Sequence, residues 1–188
     1  AMIERFHPHP GASYPGKATV IFYTNGPSMR LNGEGIPEMT PADPAHVPYY
    51  MEAELNSPLA KLAPGGAYAM DTEWFPTRLG GPVATVTYAG AVSKPVQGAA
   101  VGSKIQLSGT FGVFFPGELI AHLYDREGMQ TGAVRLRSVS PLGLVTLQQE
   151  IDAPPGTVRV SVHLQDRKGS DRGSLGEAWI TPAREGSY

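Results

Sequence analysis

Cysteine is absent from the chain. That excludes disulfide-stapled scaffolds and Cys-ligated zinc modules, and it leaves the compartment open. Charge is scarce: Asp, Glu, Lys and Arg make 17% of the 188 residues, against roughly a quarter in typical globular domains. The net charge is −2 and Lys and Arg form no run, so the electrostatic footprint of a nucleic-acid partner is missing. No apolar stretch approaches the ~18 residues that a spanning helix needs, and no membrane span is expected. Ala1-Met2-Ile3-Glu4-Arg5 lacks the basic-then-apolar order of a secretory leader, so none is expected. No G-x-G-x-x-G or Walker sequence occurs, and Ser57 before Pro58 lies outside any G-x-S-x-G elbow. These patterns give no reason to expect a cofactor or a metal.

What the chain has in abundance is 23 Gly and 18 Pro. Pro breaks helices and Gly weakens them, so long helices are excluded. Hydrophobic residues still make 41% of the chain, enough for a core and too many for a disordered polar chain. The local pattern is one of strands. Residues 17–23 are β-branched and aromatic. Residues 24–48 form a long connection holding Pro27, Gly33, Gly35, Pro37, Pro41, Pro44 and Pro48, and loops of that length are usually functional or flexible. Strands follow at 49–55 and, after the Pro64-Gly65-Gly66 turn, at 67–75; Gly80-Gly81-Pro82 breaks the chain before a strand at 83–93.

Beyond Lys94-Pro95, candidate strands recur at 104–110, 118–125, 132–139, 143–152, 157–165 and 174–180, the short spacing of a sandwich. Val158, Val160, Val162 and Leu164 form an inward row, and Thr157, Arg159, Ser161, His163 and Gln165 an outward one. The expected architecture is all-β: two packed antiparallel β-sandwich units, 1–92 and 93–188, the second immunoglobulin-like.

The stretch Tyr50-Met-Glu52-Ala-Glu54-Leu-Asn-Ser57-Pro58-Leu, then Leu62-Ala-Pro64-Gly65-Gly-Ala-Tyr68, then Thr72-Glu73-Trp74, resembles the late strands of galactose mutarotase-like (aldose epimerase-like) β-supersandwich proteins. Tyr23-Thr24-Asn25 fits the strand upstream, and the resemblance covers about residues 17–78. It implies a sugar-binding concave sheet and a general-base glutamate, matched here by Glu52 or Glu54. Gly66 stands where the family often has Glu, and His46 is not an evident equivalent of its histidine acid. Mutarotation needs an acid and a base on opposite sides of the sugar, so the activity is not carried over.

Glu52 and Glu54 share one face of their strand, and Asp71 and Glu73 share one face of the next. If the two strands pair across the 64–66 turn, four carboxylates gather on one sheet face, flanked by Tyr50 and Phe75 and balanced by Arg78 and Lys17. Such a cluster can hold split pKa values, bind a cation or hydrogen-bond sugar hydroxyls. Equally, a sheet with one wet face puts charges there for solvation alone. The candidate ligand-binding set is Tyr50, Glu52, Glu54, Asp71, Glu73, Phe75 and Arg78, with Glu52, Glu54 and Glu73 the catalytic candidates.

Several smaller signals remain. His7-Pro8-His9 supplies too few ligands for a closed metal site and reads as an exposed terminus. Asp125, Asp166 and Asp171 sit in Gly-rich turns without EF-hand spacing, which favours turn capping over Ca²⁺. His122-Leu-Tyr-Asp-Arg-Glu-Gly128 and His163-Leu-Gln-Asp-Arg-Lys-Gly169 share the pattern H-L-x-D-R-x-G, either as two hairpins with one turn chemistry or as a paired His/Asp site. Trp74-Phe75 and Phe111-Gly-Val-Phe114-Phe115-Pro116 are aromatic clusters whose default role is packing, although the second lies on a bend that can present a binding platform.

The leading expectation is a non-catalytic carbohydrate-binding or accessory module. The alternatives are a carbohydrate-active enzyme, epimerase-like or lyase-like, using paired carboxylates, and a structural or oligomerisation module. The oligomeric state stays open.

Overall fold

A computed structural model describes residues 1–25, 29–31, 37–39 and 50–181. Its strands are β1 (Met2–Phe6), β2 (Val20–Asn25), β3 (Met29–Leu31), β4 (Pro37–Met39), β5 (Tyr50–Leu55), β6 (Thr72–Pro76), β7 (Thr85–Val86), β8 (Gly90–Val101), β9 (Lys104–Val113), β10 (Gly117–Tyr124), β11 (Gln130–Val139), β12 (Val145–Asp152), β13 (Arg159–Asp166) and β14 (Asp171–Thr181). The helical content of the described residues is one 3₁₀ turn, Pro15–Lys17. The fold is all-β, as Gly and Pro abundance requires. The chain forms two compact units, one of residues 1–5 and 73–188 and the other of residues 6–72. The sequence-based boundary at 92/93 falls inside β8, which runs through Lys94-Pro95 with register shifts on either side of Lys94.

In the smaller unit, β2 pairs antiparallel with β5 from Val20↔Leu55 to Asn25↔Tyr50. Asn56 closes this ladder, its backbone N–H donating to the Thr19 carbonyl at 2.9 Å and its Nδ2 to the Ala18 carbonyl at 3.0 Å. The connection expected at 24–48 contains a short hairpin, β3 with β4 (Met29↔Met39, Leu31↔Pro37). Pro27, Gly33, Gly35, Pro41, Pro44, His46 and Pro48 lie outside the described residues.

The larger unit holds the main core. Its strand order is β11-β10-β13-β14-β8-β9-β12, with β7 beside β8. Every pairing along that strand order is antiparallel except one: β14 outruns β13, and Ile180 and Thr181 align in parallel with Gly98 and Ala99 of β8. One strand therefore belongs to two sheets, and an all-antiparallel arrangement is corrected on that point. Period-2 alternation supplies the inner faces. Leu119, Ala121 and Leu123 come from β10 and Val160, Val162 and Leu164 from β13; Ile105, Leu107, Phe111 and Val113 come from β9 and Val145, Leu147 and Ile151 from β12. They merge into one buried cluster. Each fully buried Leu, Val or Phe contributes about 1.5–3 kcal/mol relative to exposure. At Gly109 the Phe111 ring occupies the place where a Cβ would stand, so only glycine fits there.

Two expected strands are redrawn. Residues 83–93 are not continuous: the Thr87 hydroxyl accepts from the N–H of Ala89 (3.1 Å) and Gly90 (3.2 Å), making a tight turn that folds β7 back onto β8. The strand expected at 67–75 is ordered only as β6, over 72–76. A strand needs a partner, and β6 finds it in the five-residue β1.

Candidate functional site

The larger unit carries a groove of about 640 Å³ beside the packed Phe75 and Phe114 rings. It is assembled from five separate pieces of chain, the first being the N-terminal Ala1, whose ammonium donates to the Thr77 carbonyl at 2.7 Å. β6 and the residues after it give Trp74, Phe75, Pro76, Thr77 and Arg78; the β9–β10 bend gives Phe114 and Pro116; the β11–β12 turn gives Ser140, Pro141 and Leu142; the β13–β14 hairpin gives Arg167. Both aromatic clusters singled out in the sequence meet here. Phe75 stacks on Phe114 with ring centroids 4.6 Å apart and meets Phe115 edge-on at 5.8 Å. The Arg5 guanidinium covers Phe75 at 4.9 Å. These rings form a buried floor, while Trp74 (63% exposed) and Leu142 (84% exposed) stand on the walls.

Hydrogen bonds fix the walls. Thr77 is buried and donates from Oγ1 to the Val113 carbonyl at 2.9 Å. The Arg78 N–H donates to the Pro141 carbonyl at 3.0 Å, tying the first wall to the second. Gly112 lets this happen, since its backbone lies directly under Thr77 and Arg78. Arg167 sits in a turn organised by Asp166, whose Oδ1 accepts from the N–H of Lys168 (2.8 Å) and Ser170 (3.0 Å) while Oδ2 binds Arg172. Those backbone bonds, that of Ser170 first, hold the Asp166 carboxyl below its ordinary pKa.

The predicted site residues divide between the units. Glu73, Phe75 and Arg78 belong to the larger one; Tyr50, Glu52, Glu54 and Asp71 belong to the smaller one. Phe75 and Arg78 line the groove, and Glu73 does not. Glu73 instead accepts from Arg5 Nε at 2.7 Å, a bond that raises the arginine's pKa further. Glu52 and Glu54 are exposed on β5, opposite Tyr23 and Ile21. β5 pairs with β2 and β6 with β1, so the β5–β6 ladder that would gather four carboxylates is not among the pairings of the described residues. Asp71 lines a cavity of about 250 Å³ with His7, His9, Tyr14 and Asn56, where the Tyr14 hydroxyl accepts from the His9 N–H at 2.7 Å.

In the H-L-x-D-R-x-G echo the two turns share one turn chemistry, and the two strand ends do not lie side by side as a paired His/Asp site would need. Asp125 and Asp166 cap their turns, with Gly128 and Gly169 at positive φ. Because β10 and β13 are antiparallel, the turns lie at opposite ends, yet Ile120↔His163 and His122↔Ser161 bring the histidines together diagonally. Their rings meet edge-on at 4.7 Å, and His163 Nδ1 lies 2.9 Å from Asp171 Oδ2. His122 Nδ1 is buried without a hydrogen-bond partner. Among the described residues no three His, Cys, Asp or Glu side chains are grouped to hold a metal ion.

Sequence reasoning missed Leu142 and Arg167 as groove residues. Each sits in a turn, and only long-range packing places those turns beside β6. No protein-family model, curated protein or solved structure matches the chain.

Proposed function

We propose that this chain is a non-catalytic carbohydrate-binding or accessory β-sandwich module whose groove at Trp74 takes the sugar. The observation that carries the reading is an exposed indole at the lip of an apolar groove whose floor is already packed. Indole is a rigid apolar plate with one polar N–H, suited to cover the C–H face of a sugar ring while neighbouring polar groups meet the hydroxyls. The larger unit is read as immunoglobulin-like. In support, four strands (β11-β10-β13-β14) and three (β8-β9-β12) are linked by connections that cross between the two sets.

Isothermal titration against a panel of mono- and oligosaccharides tests the reading. We expect a Kd between roughly 10 µM and 1 mM for at least one member, weakened about tenfold or more by Trp74→Ala. No heat with any sugar at millimolar concentration overturns it, as does binding that Trp74→Ala leaves unchanged.

A further inference from the structure

The groove's ligand class follows from which arginines the fold has already used. Arg5 is paired with Glu73 at 2.7 Å, and Arg135 with Glu118, Arg159 with Glu177 and Arg172 with Asp166, each at 2.6 Å. Arg137 donates to the Thr146 carbonyl at 3.3 Å. Among the residues whose side chains are described, this leaves Arg78, Arg126 and Arg167 with neither a carboxylate nor a carbonyl partner. Arg126 lies on an exposed hairpin. The other two line the Trp74 groove, and no Asp or Glu lines it with them. Their backbones are held in place by the Arg78–Pro141 bond and by the Asp166 turn. Two arginines and the Ala1 ammonium line this groove with no Asp or Glu among its lining, although Arg167 also borders Glu118 and Asp166 on its other side, so the groove carries a local excess of positive charge in a chain whose net charge is −2. A guanidinium meets a carboxylate through two parallel N–H···O bonds, a geometry that neutral hydroxyls cannot reproduce.

We propose that the groove recognises an acidic saccharide, with the ring of a uronate residue on Trp74 and its carboxylate on Arg78 and Arg167. The inference rests on the carbohydrate-binding reading and adds the anion to it. The test is titration of the intact chain with tetragalacturonate and with its methyl ester, which keeps the rings and removes the charge. Both are run at low and at moderate salt, on wild type and on Arg78→Gln, Arg167→Gln and Arg126→Gln. Thermal melts check that every variant is folded.

The expected result has three parts. The acid binds at least tenfold tighter than the ester, the preference shrinks with salt, and it falls about tenfold in Arg78→Gln and Arg167→Gln while Arg126→Gln changes nothing. Equal binding of acid and ester overturns the anion and leaves the carbohydrate reading standing. So does binding confined to neutral sugars of the panel. Acid binding that both groove variants retain in full also overturns the inference. Silence toward every saccharide removes both proposals together.

Discussion

Gly112→Ala tests how the groove is built. Gly112 lies in β9 with φ outside the left-handed region, so alanine is allowed by its backbone and any penalty is steric. A Cβ there would stand 2.7 Å from the Arg78 carbonyl oxygen, 2.7 Å from Thr77 Oγ1 and 2.8 Å from Thr77 Cγ2. Real Cβ atoms essentially never come within 3.0 Å of such neighbours, so the shortfall is at least 0.3 Å (3.0 − 2.7) against two atoms at once. Neither can swing away cheaply: one is backbone, and the other belongs to a buried side chain bonded to the Val113 carbonyl. Overpacking of this kind costs about 1–3 kcal/mol, and straining the Thr77 bond adds about 0.5–1.5 kcal/mol. Lower unfolded-state entropy returns about 0.4–1 kcal/mol. The net loss is about 0.5–4 kcal/mol, a fall in Tm of roughly 2–20 °C for a unit of this size. Gly132→Ala is the control, because its nearest neighbours, Leu123 Cδ1 at 3.5 Å and Pro154 Cγ at 3.6 Å, are at ordinary contact distance. Melts followed by circular dichroism compare the two variants. A Gly112→Ala protein that melts within about 2 °C of both wild type and Gly132→Ala refutes the close-approach argument.

Three further outcomes are expected. Phe75→Ala removes the ring stacked on Phe114 and should cost about 3–5 kcal/mol, with Phe75→Leu recovering more than half in denaturant titration; equal losses would mean that ring stacking and volume do not matter there. His122→Phe deletes a buried nitrogen without a partner and should leave stability unchanged or raise it by up to about 1 kcal/mol, while His163→Phe strips Asp171 of its ring partner and should lower it; the reverse order in thermal melts would contradict the assignment. Acid should destabilise the larger unit through three carboxylates with lowered pKa: Glu118 through Arg135 and then Ser138, Asp166 through the Ser170 N–H first, and Asp171, where the Gly173 N–H and His163 outweigh the opposing effect of burial. In each case the unfolded chain takes up its proton first, so the stabilisation is fully present above the ordinary carboxylate pKa and is lost as pH falls through it toward the folded value. Melts from pH 7 to pH 3 should show a shallower fall for Asp166→Asn than for wild type, and parallel curves would exclude Asp166 from the effect.

The strands of the larger unit were largely legible because their signals are local. Alternation and Gly-containing turns gave 118–125 and 132–139, against observed bounds of Gly117–Tyr124 and Gln130–Val139. Of the inward row, Val160, Val162 and Leu164 are buried and Val158 is half-buried, while Ser161, expected in the outward row, is buried beside Ser174. What escaped depends on partners distant in the chain. Met2–Phe6 is five residues without a turn signal and is a strand only beside β6. The parallel junction of Ile180 and Thr181 with β8 joins residues about eighty positions apart, which no window of sequence contains. Among the pairings of the described residues β5 lies beside β2 and β6 beside β1, a choice that depends on distant partners in the same way. Alternation correctly set Glu52 with Glu54, but a shared strand face says nothing about which strand lies alongside. Phe75 and Phe114 were both visible as aromatics; that they stack was not.

The scarcity of charge turns out to bear directly on the candidate site. Glu118–Arg135, Arg159–Glu177 and Lys104–Glu150 each join neighbouring strands, β10 with β11, β13 with β14 and β9 with β12. All three are diagonal: Glu118 lies opposite Ser138 and Arg135 opposite Ile120; Arg159 opposite Trp179 and Glu177 opposite Ser161; Lys104 opposite Asp152 and Glu150 opposite Gln106. Exposed pairs add little to stability. Their stronger effect is on register, because a one-residue slip sends the two side chains to opposite faces and also turns the apolar row outward. A fold that places its few charges as register clamps leaves its sheet faces locally neutral. Against such a surface an arginine with no partner is conspicuous, and two of them on one groove beside an exposed tryptophan are not explained by register, capping or core packing. Neither Arg78 nor Arg167 bridges strands, so replacing them should spare the fold and alter only what the groove can hold.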